Sequence, residues 1–366
     1  MNTNISPKIP YPRFQIRRSI LNQLSRALLR LFSKLRVSGL ENIPKEGPVI
    51  LAGNHVSTLE PMLMATFPKR LVELLGAGDI PFEGFVDNLV NFYGFIAVNR
   101  GNIDREAMNQ ALAVLKQGGV LGIYPEGGTW KPGQMKAQVG VAWLSSKGQA
   151  VVVPIGFSGF KDSFSKLMNF KRPRLEMKVG QPIPALAIHE SDKPIKEIYQ
   201  DYADMVLERI GALVDPKEFL EVPERSEYSL QVLTGKEGET FQEVDLTGSD
   251  ALAEFFFSPV LLNSFISNLK KPIESLYPNE QERSNQVFSD ALQSVIEVLK
   301  DNPGFFTYRM GIERGHKIEK AIQALIEILD HAEGADQSVI LKARALFRYP
   351  DGRVEEKAHD YDIYPG

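Results

Sequence analysis

The order of apolar and polar positions changes character twice along the chain. From Ile16 to Leu35, helical spacing gathers Ile20, Leu21, Leu24, Leu28, Leu31, Phe32 and Leu35 on one sector and sets Arg18, Arg26, Arg30, Lys34 and Arg36 opposite, the pattern of a basic amphipathic helix. Short apolar runs follow at Val49–Ala52, Phe95–Val98, Val120–Tyr124 and Val151–Phe157, which read as buried strands. Helical patterns stand between them, at Pro61–Phe67, Asp104–Lys116 and Gln138–Ser146. Strands alternating with helices predict an α/β core with a mixed, largely parallel sheet flanked by helices. A further helix, Lys196–Val214, closes this region, and the Pro- and charge-rich Asp215–Ser226 reads as a linker, with a boundary near residue 224. Beyond it the pattern predicts a strand at Tyr228–Thr234, helices at Asp250–Asn268, Gln281–Lys300 and Gly315–His331, and a strand at Val339–Tyr349. The expected organisation is therefore a helical region over 1–36, an α/β domain over 37–224 and a small α+β domain over 225–366. The last contains no repeat, low-complexity tract or catalytic motif, and its role is not legible.

Charge sharpens the first of these regions. Residues 1–36 hold eight Lys and Arg and no Asp or Glu, whereas the rest of the chain carries a net −12 within a formal total of −4. The bulk of the protein should avoid nucleic acid, and the helical region over residues 13–36 is expected on an anionic membrane surface, apolar sector inserted and cations on lipid phosphate. The same helix also fits docking on its own domain. A cleaved targeting peptide is a third reading, against which no A-x-A-like site precedes the domain. No uninterrupted apolar stretch reaches the roughly 18 residues of a membrane span, since Ala251–Ile266 is broken by Glu254, Pro259 and Asn263. The length of 366 residues suits two domains, and 43% hydrophobic with 24% charged residues excludes a disordered or fibrous chain. The absence of cysteine excludes disulfides, a thiol nucleophile and thiolate metal sites. A cytoplasmic protein, peripheral on the inner face of a membrane, is the expectation.

Candidate chemistry begins directly after Val49–Ala52, where Asn54-His55-Val56-Ser57-Thr58-Leu59-Glu60 places an imidazole and a carboxylate at the C-terminal end of a strand, the place where open α/β sheets build sites. Ser57-x-x-Glu60 is equally a capping box, in which Glu60 satisfies backbone N–H groups. The two roles are compatible. Three further blocks end predicted strands, Tyr93-Gly94-Phe95-Ile96-Ala97-Val98-Asn99-Arg100, then Tyr124-Pro125-Glu126-Gly127-Gly128-Thr129, then Val151-Val152-Val153-Pro154-Ile155-Gly156. There is no GxSxG elbow, GxxxxGK[ST] loop or HExxH helix.

In this order the four blocks resemble those of the lysophosphatidate (1-acyl-glycerol-3-phosphate) acyltransferase family, across residues 38–215. The resemblance implies a glycerolipid-acyltransferase-like fold. It also implies transfer of a fatty acyl group from acyl-CoA or acyl-carrier protein to a lysophospholipid hydroxyl, most simply that of 1-acyl-glycerol-3-phosphate, with no metal and no cofactor. It makes His55 and Glu60 the catalytic pair and Asn54, Arg100, Glu126, Gly127, Gly128 and Thr129 substrate-binding. Two positions depart from the family: Glu60 stands where Asp is usual, and Thr129 where Arg is common. Lys131 or Lys136 can replace the lost charge, and another lysolipid or a glycolipid acceptor stays open, as does an inactive membrane-associated scaffold. Finally, Phe160–Arg174 sets Lys161, Lys166, Lys171, Arg172 and Arg174 among Phe160, Phe164 and Phe170, which suits lipid headgroups, the donor's phosphates or a solvated loop.

Overall fold

The computed structural model describes residues 9–57, 59–78, 84–99, 104–126, 137–188, 193–258, 274–278, 283–301, 306 and 310–366. They fall into two compact units that part at Val222 and Pro223.

In the first unit the strands are β1 (Lys34–Ser38), β2 (Val49–Gly53), β3 (Val72–Ala77), β4 (Ile96–Val98), β5 (Val120–Ile123), β6 (Val151–Ser158) and β7 (Arg174–Val179). They form one sheet in the order β1-β7-β6-β2-β5-β3-β4. The pairs from β6 to β4 are parallel, as is β1 with β7, and β6 meets β7 antiparallel. The pleat of β2 explains its unbroken apolar run. Ile50 and Ala52 join one core layer with Ala111, Val152 and Val206, while Val49 and Leu51 join the other with Leu63, Val153 and Phe157. A strand covered on both faces cannot alternate apolar with polar. The expected α/β class and the strands at the ends of the four blocks are present.

Several elements depart from expectation. β3, β7 and β1 were not anticipated, the first because Glu73 interrupts its apolar run, and the linker carries a short helix, Pro216–Leu220. Gly159 (φ 82°) leads from β6 toward β7 where the chains nearly touch, so that a Cβ there would lie 2.0 Å from the Arg174 carbonyl oxygen.

The first helix, α1 (Gln15–Phe32), is the largest correction. It ends at Phe32, so Lys34, Leu35 and Arg36 belong to β1 rather than to the helix. It does dock on its own domain, but by its polar side: Arg18, Asn22, Ser25 and Leu29 are buried, and Ile16, Ile20, Leu24, Leu28 and Leu31 are exposed. Arg18, with none of its surface exposed, places Nη1 2.5 Å and Nη2 3.0 Å from the two carboxylate oxygens of the equally buried Glu73 and also donates to the Tyr93 and Gly94 carbonyls. Arg13 donates to the same carboxylate at 2.7 Å. Asn22 donates to the Ala65 carbonyl and Arg26 to that of Thr66. Arg18 and Arg26, expected on lipid phosphate, are therefore bound to protein, because a carboxylate buried in β3 must be paired.

In the second unit, strands β8 (Arg225–Gly235), β9 (Gln242–Val244), β10 (Ser338–Arg348) and β11 (Val354–Ile363) form an antiparallel sheet ordered β11-β10-β8-β9. Helices Ser249–Phe256, Asn285–Asp301 and Ile312–Gly334 supply Phe255, Phe256, Phe288, Leu292 and Leu325 to a core that Val232, Leu341 and Tyr361 complete from the sheet. The α+β expectation holds, with β9 and β11 added. The predicted helix at Asp250–Asn268 is described only as far as residue 258.

Candidate active site

The site is assembled where β2 leaves the sheet. Asn54, the first residue after that strand, is buried, and its amide faces the backbone of Phe157 on β6: Nδ2 donates to the Phe157 carbonyl at 3.0 Å, and Oδ1 accepts its N–H at 2.8 Å. An amide engaged on both sides by backbone has little left for a substrate, so Asn54 locks the loop that carries His55. A Cβ on Gly53 would sit 2.8 Å from the Phe157 ring, so the strand end is packed as tightly as the lock.

The next turn places the pair. Glu60, fully buried at the start of α2 (Glu60–Thr66), accepts the Val56 N–H on Oε1 at 3.0 Å and the Ser57 N–H on Oε2 at 3.1 Å. Ser57 Oγ accepts from Leu59 N at 3.3 Å, one residue short of the reciprocal bond of a full capping box. The same carboxylate faces the imidazole, with Oε2 3.7 Å from His55 Nδ1. That Nδ1 is buried and has no hydrogen-bond partner among the described residues. The turn contacts and the approach to the imidazole thus meet in one group. Glu60 closes the turn that aims His55 and lies next to the nitrogen that becomes positive when the ring takes a proton.

Two residues after β5 complete the cluster. Tyr124 stacks on His55 with ring centroids 4.3 Å apart and planes 25° from parallel. Its hydroxyl is buried and unpartnered among the described residues, and burial, with the charge of Glu60 adding, pushes the phenol pKa well above its ordinary range. Glu126, only 4% exposed, accepts the His55 backbone N–H on Oε2 at 3.3 Å. Burial pushes its carboxyl up to about 7; the His55 N–H opposes that push and the nearby Glu60 charge adds to it. Near neutral pH Glu126 is therefore divided between a form that accepts and a form that donates, which suits a group holding a hydroxyl. An imidazole beside a carboxylate, next to a carboxyl poised near neutrality, is equipped for proton transfer to and from a bound hydroxyl.

Residues 34–158 match the Acyltransferase family. That match covers about a third of the chain, and its described residues lie within the first unit. Among its relatives, a 1-acyl-sn-glycerol-3-phosphate acyltransferase of Borreliella burgdorferi is 30% identical over 141 residues, 37% of this chain and 56% of that protein. An N-acylphosphatidylethanolamine synthase of Arabidopsis thaliana is 30% identical over 166 residues, 39% of this chain and 58% of that protein. A 1-acyl-sn-glycerol-3-phosphate acyltransferase of Bacillus subtilis is 22% identical over 203 residues, 51% of this chain and 92% of that protein. The chain thus spans little more than half the length of the first two.

Within the matched region the structure brings together His55, Glu60 and Glu126 from three of the predicted positions. Arg100, Gly127, Gly128, Thr129, Lys131 and Lys136 lie outside the described residues. Among the described residues no group of three or more His, Asp and Glu is placed to hold a metal ion. Sequence reasoning passed over the Tyr124 stack, although Tyr124 stands two positions before Glu126. It also missed the Phe157 backbone lock, which no local pattern announces because it spans 103 residues.

Proposed function

We propose that the protein transfers a fatty acyl group from a thioester, acyl-CoA or acyl-carrier protein, to the hydroxyl of a lysophospholipid, with 1-acyl-glycerol-3-phosphate as acceptor. The observation that carries this reading is the His55–Glu60 pair at the end of β2, with Nδ1 3.7 Å from the carboxylate, inside an acyltransferase domain. His55 Nε2 takes the proton of the acceptor hydroxyl as its oxygen attacks the thioester carbonyl. The tetrahedral intermediate then expels the thiolate, which recovers that proton from the imidazolium. Glu60 stabilises the imidazolium, and closing the gap to hydrogen-bond length requires a shift of roughly 1 Å. Glu126 orients the acceptor, and Arg100 binds its phosphate as a charge-assisted donor. Positioned general acid–base catalysis of this kind contributes typically 10²–10⁴-fold.

The exposed stripe of α1 fits the same reading. Ile16, Ile20, Leu24, Leu28 and Leu31 present apolar surface that stays exposed among the described residues, and no helix among them is long and apolar enough to cross a membrane. Lying in the interface plane puts that surface in lipid and the enzyme beside an amphiphilic acceptor.

A second acceptor class has its own support, since the Arabidopsis relative is named for a different lipid product at the same 30% identity, and Thr129 stands where the family commonly has Arg. An inactive scaffold has less, because His55 and Glu60 are retained in contact. Purified protein incubated with a panel of lysolipids and both donor types separates these. Phosphatidate formed from 1-acyl-glycerol-3-phosphate supports the proposal, whereas product only from another acceptor, or none from any, overturns it.

A further inference from the structure

Beyond α1, the strongest unexplained surface of the first unit is the segment that follows β6. It contains a short helix (Ser163–Met168) and the turn after it. Phe160 and Ser163 are fully buried and anchor the segment, Phe160 edge-on to Phe157 at 5.5 Å between ring centroids. Leu167 packs partly buried against the same core, whereas three apolar side chains are turned outward: Phe164 is 42%, Met168 67% and Phe170 74% exposed. Lys161, Lys166, Lys171, Arg172 and Arg174 surround them, all exposed, against the single carboxylate of Asp162. Phe170 and Arg172 hold φ values of 54° and 41°, a region uncommon for non-glycine residues, so an exposed aromatic is presented in a conformation the chain does not favour. The fold itself gains nothing visible from that arrangement.

Two contacts tell what the segment serves. Phe170 lies edge-on to Phe32, the last residue of α1, with centroids 5.7 Å apart, so its apolar surface continues that of α1 past Leu28 and Leu31. At its other end Ser163 Oγ is 3.4 Å from Oγ of Ser57, which lies two residues from His55 and donates its N–H to Glu60. We infer that residues 160–174 form a second lipid-inserting element, in which Phe164, Met168 and Phe170 enter an anionic bilayer, the surrounding cations meet lipid phosphate, and the His55 loop is held at the membrane surface. Charge complementarity and continuity with the α1 stripe select a bilayer as occupant over an acidic protein or a second copy of the chain. This extends the membrane reading of α1: one helix fixes a line on the bilayer, and a second point of insertion fixes a plane.

The test uses the full chain with Phe164, Met168 and Phe170 all changed to Ser, leaving α1 and the catalytic groups untouched. Its partitioning onto vesicles of phosphatidylcholine with phosphatidylglycerol should fall at least ~10-fold relative to the unaltered chain. The thermal midpoint should not move, since all three side chains are exposed. Separately, Phe170→Trp should gain a blue-shifted emission on vesicle binding that brominated lipid quenches. Partitioning within about twofold of the unaltered chain, or an unquenched Trp, overturns the inference. Unchanged partitioning with a raised KM for carrier-bound acyl donor identifies an acidic protein as the occupant instead. Neither lipid measurement requires turnover, so they stand whether or not lysophosphatidate proves to be the acceptor. If it does, KM for vesicle-presented acceptor rises while a soluble short-chain acceptor is used as before.

Discussion

Removing the Glu73 carboxylate should release α1 from the rest of the first unit without unfolding it. Glu73 receives two guanidinium bonds from Arg18 at 2.5 and 3.0 Å and two from Arg13 at 2.7 and 3.1 Å. Both Glu73 and Arg18 are completely buried, and in Glu73→Ala the Arg18 guanidinium keeps only the neutral carbonyls of Tyr93 and Gly94. Stranding one member of a buried pair costs about 3–5 kcal/mol. Against this the helix has little hydrophobic attachment, because Leu29 is the one apolar side chain of α1 that is buried and contributes about 1.5–3 kcal/mol. The stranded charge can instead return to water by undocking, which caps the loss at the docking free energy of the helix. Backbone amides of α1 should then exchange with solvent about 10²–10³-fold faster, while those of β2, β5 and β6 keep their protection. The double variant Arg18→Met, Glu73→Leu should recover most of that protection, since it strands no buried charge. Amide exchange read by mass spectrometry decides it: α1 protection within about threefold of the unaltered chain in Glu73→Ala would refute the reasoning.

The same pair sets a pH dependence. Burial pushes the Glu73 carboxyl up, but hydrogen bonds from Arg18 and Arg13 outweigh it and hold the group below the ordinary glutamate value of 4.5. A depressed carboxylate contributes stability that is present above its unfolded value and lost as pH falls through its folded one. Docking of α1 should therefore be intact above pH 4.5 and weaken progressively below it.

Three further outcomes concern the active site. His55→Ala should lower turnover by about 10²-fold or more with the thermal midpoint little changed, and Glu60→Gln should cost less turnover, both read in the lysolipid acylation assay. Because burial brings Glu126 to about 7, kcat/KM should carry an ionisation in that range that disappears in Glu126→Gln; a surviving ionisation assigns it to another group. Tyr124→Phe keeps the 4.3 Å stack on His55 and should retain near-full activity, whereas Tyr124→Ala frees the imidazole and should lose about 10-fold or more, with loss in Tyr124→Phe of the same size assigning the role to the hydroxyl instead.

How much of this was legible depended on whether the cause was local. His55, Glu60 and Glu126 could be placed because each follows a short apolar strand, and strand ends are where the sheet collects its chemistry. The turn-closing role of Glu60 was legible too, since Ser57-x-x-Glu60 is a local pattern and the carboxylate accepts from Val56 and Ser57. The engagement of the Asn54 amide was not legible, because its partner, the backbone of Phe157, is distant in sequence and side-chain-independent. β7 was passed over where it follows directly on the basic stretch Phe160–Arg174, although Leu175, Met177 and Val179 alternate with Arg174, Glu176 and Lys178 as a one-sided strand should.

The orientation of α1 shows what amphipathicity can and cannot establish. Its periodicity identifies an apolar side and a polar side, but which one faces the protein depends on what the domain offers in return. A domain with an open apolar groove would take the leucines. This one offers Glu73, a carboxylate fixed between Val72 and Leu74 in a strand whose flanks are otherwise apolar, together with the carbonyls of Ala65, Thr66, Tyr93 and Gly94. Leaving such a carboxylate unpaired is more costly than leaving five aliphatic side chains in water, provided those side chains have somewhere else to go. The tell was present in the sequence as an acidic residue inside an apolar strand, paired with a helix that has arginines and no acid of its own. Read together, those two anomalies explain each other, and they turn the leucine stripe outward to the surface on which an amphiphilic substrate would arrive.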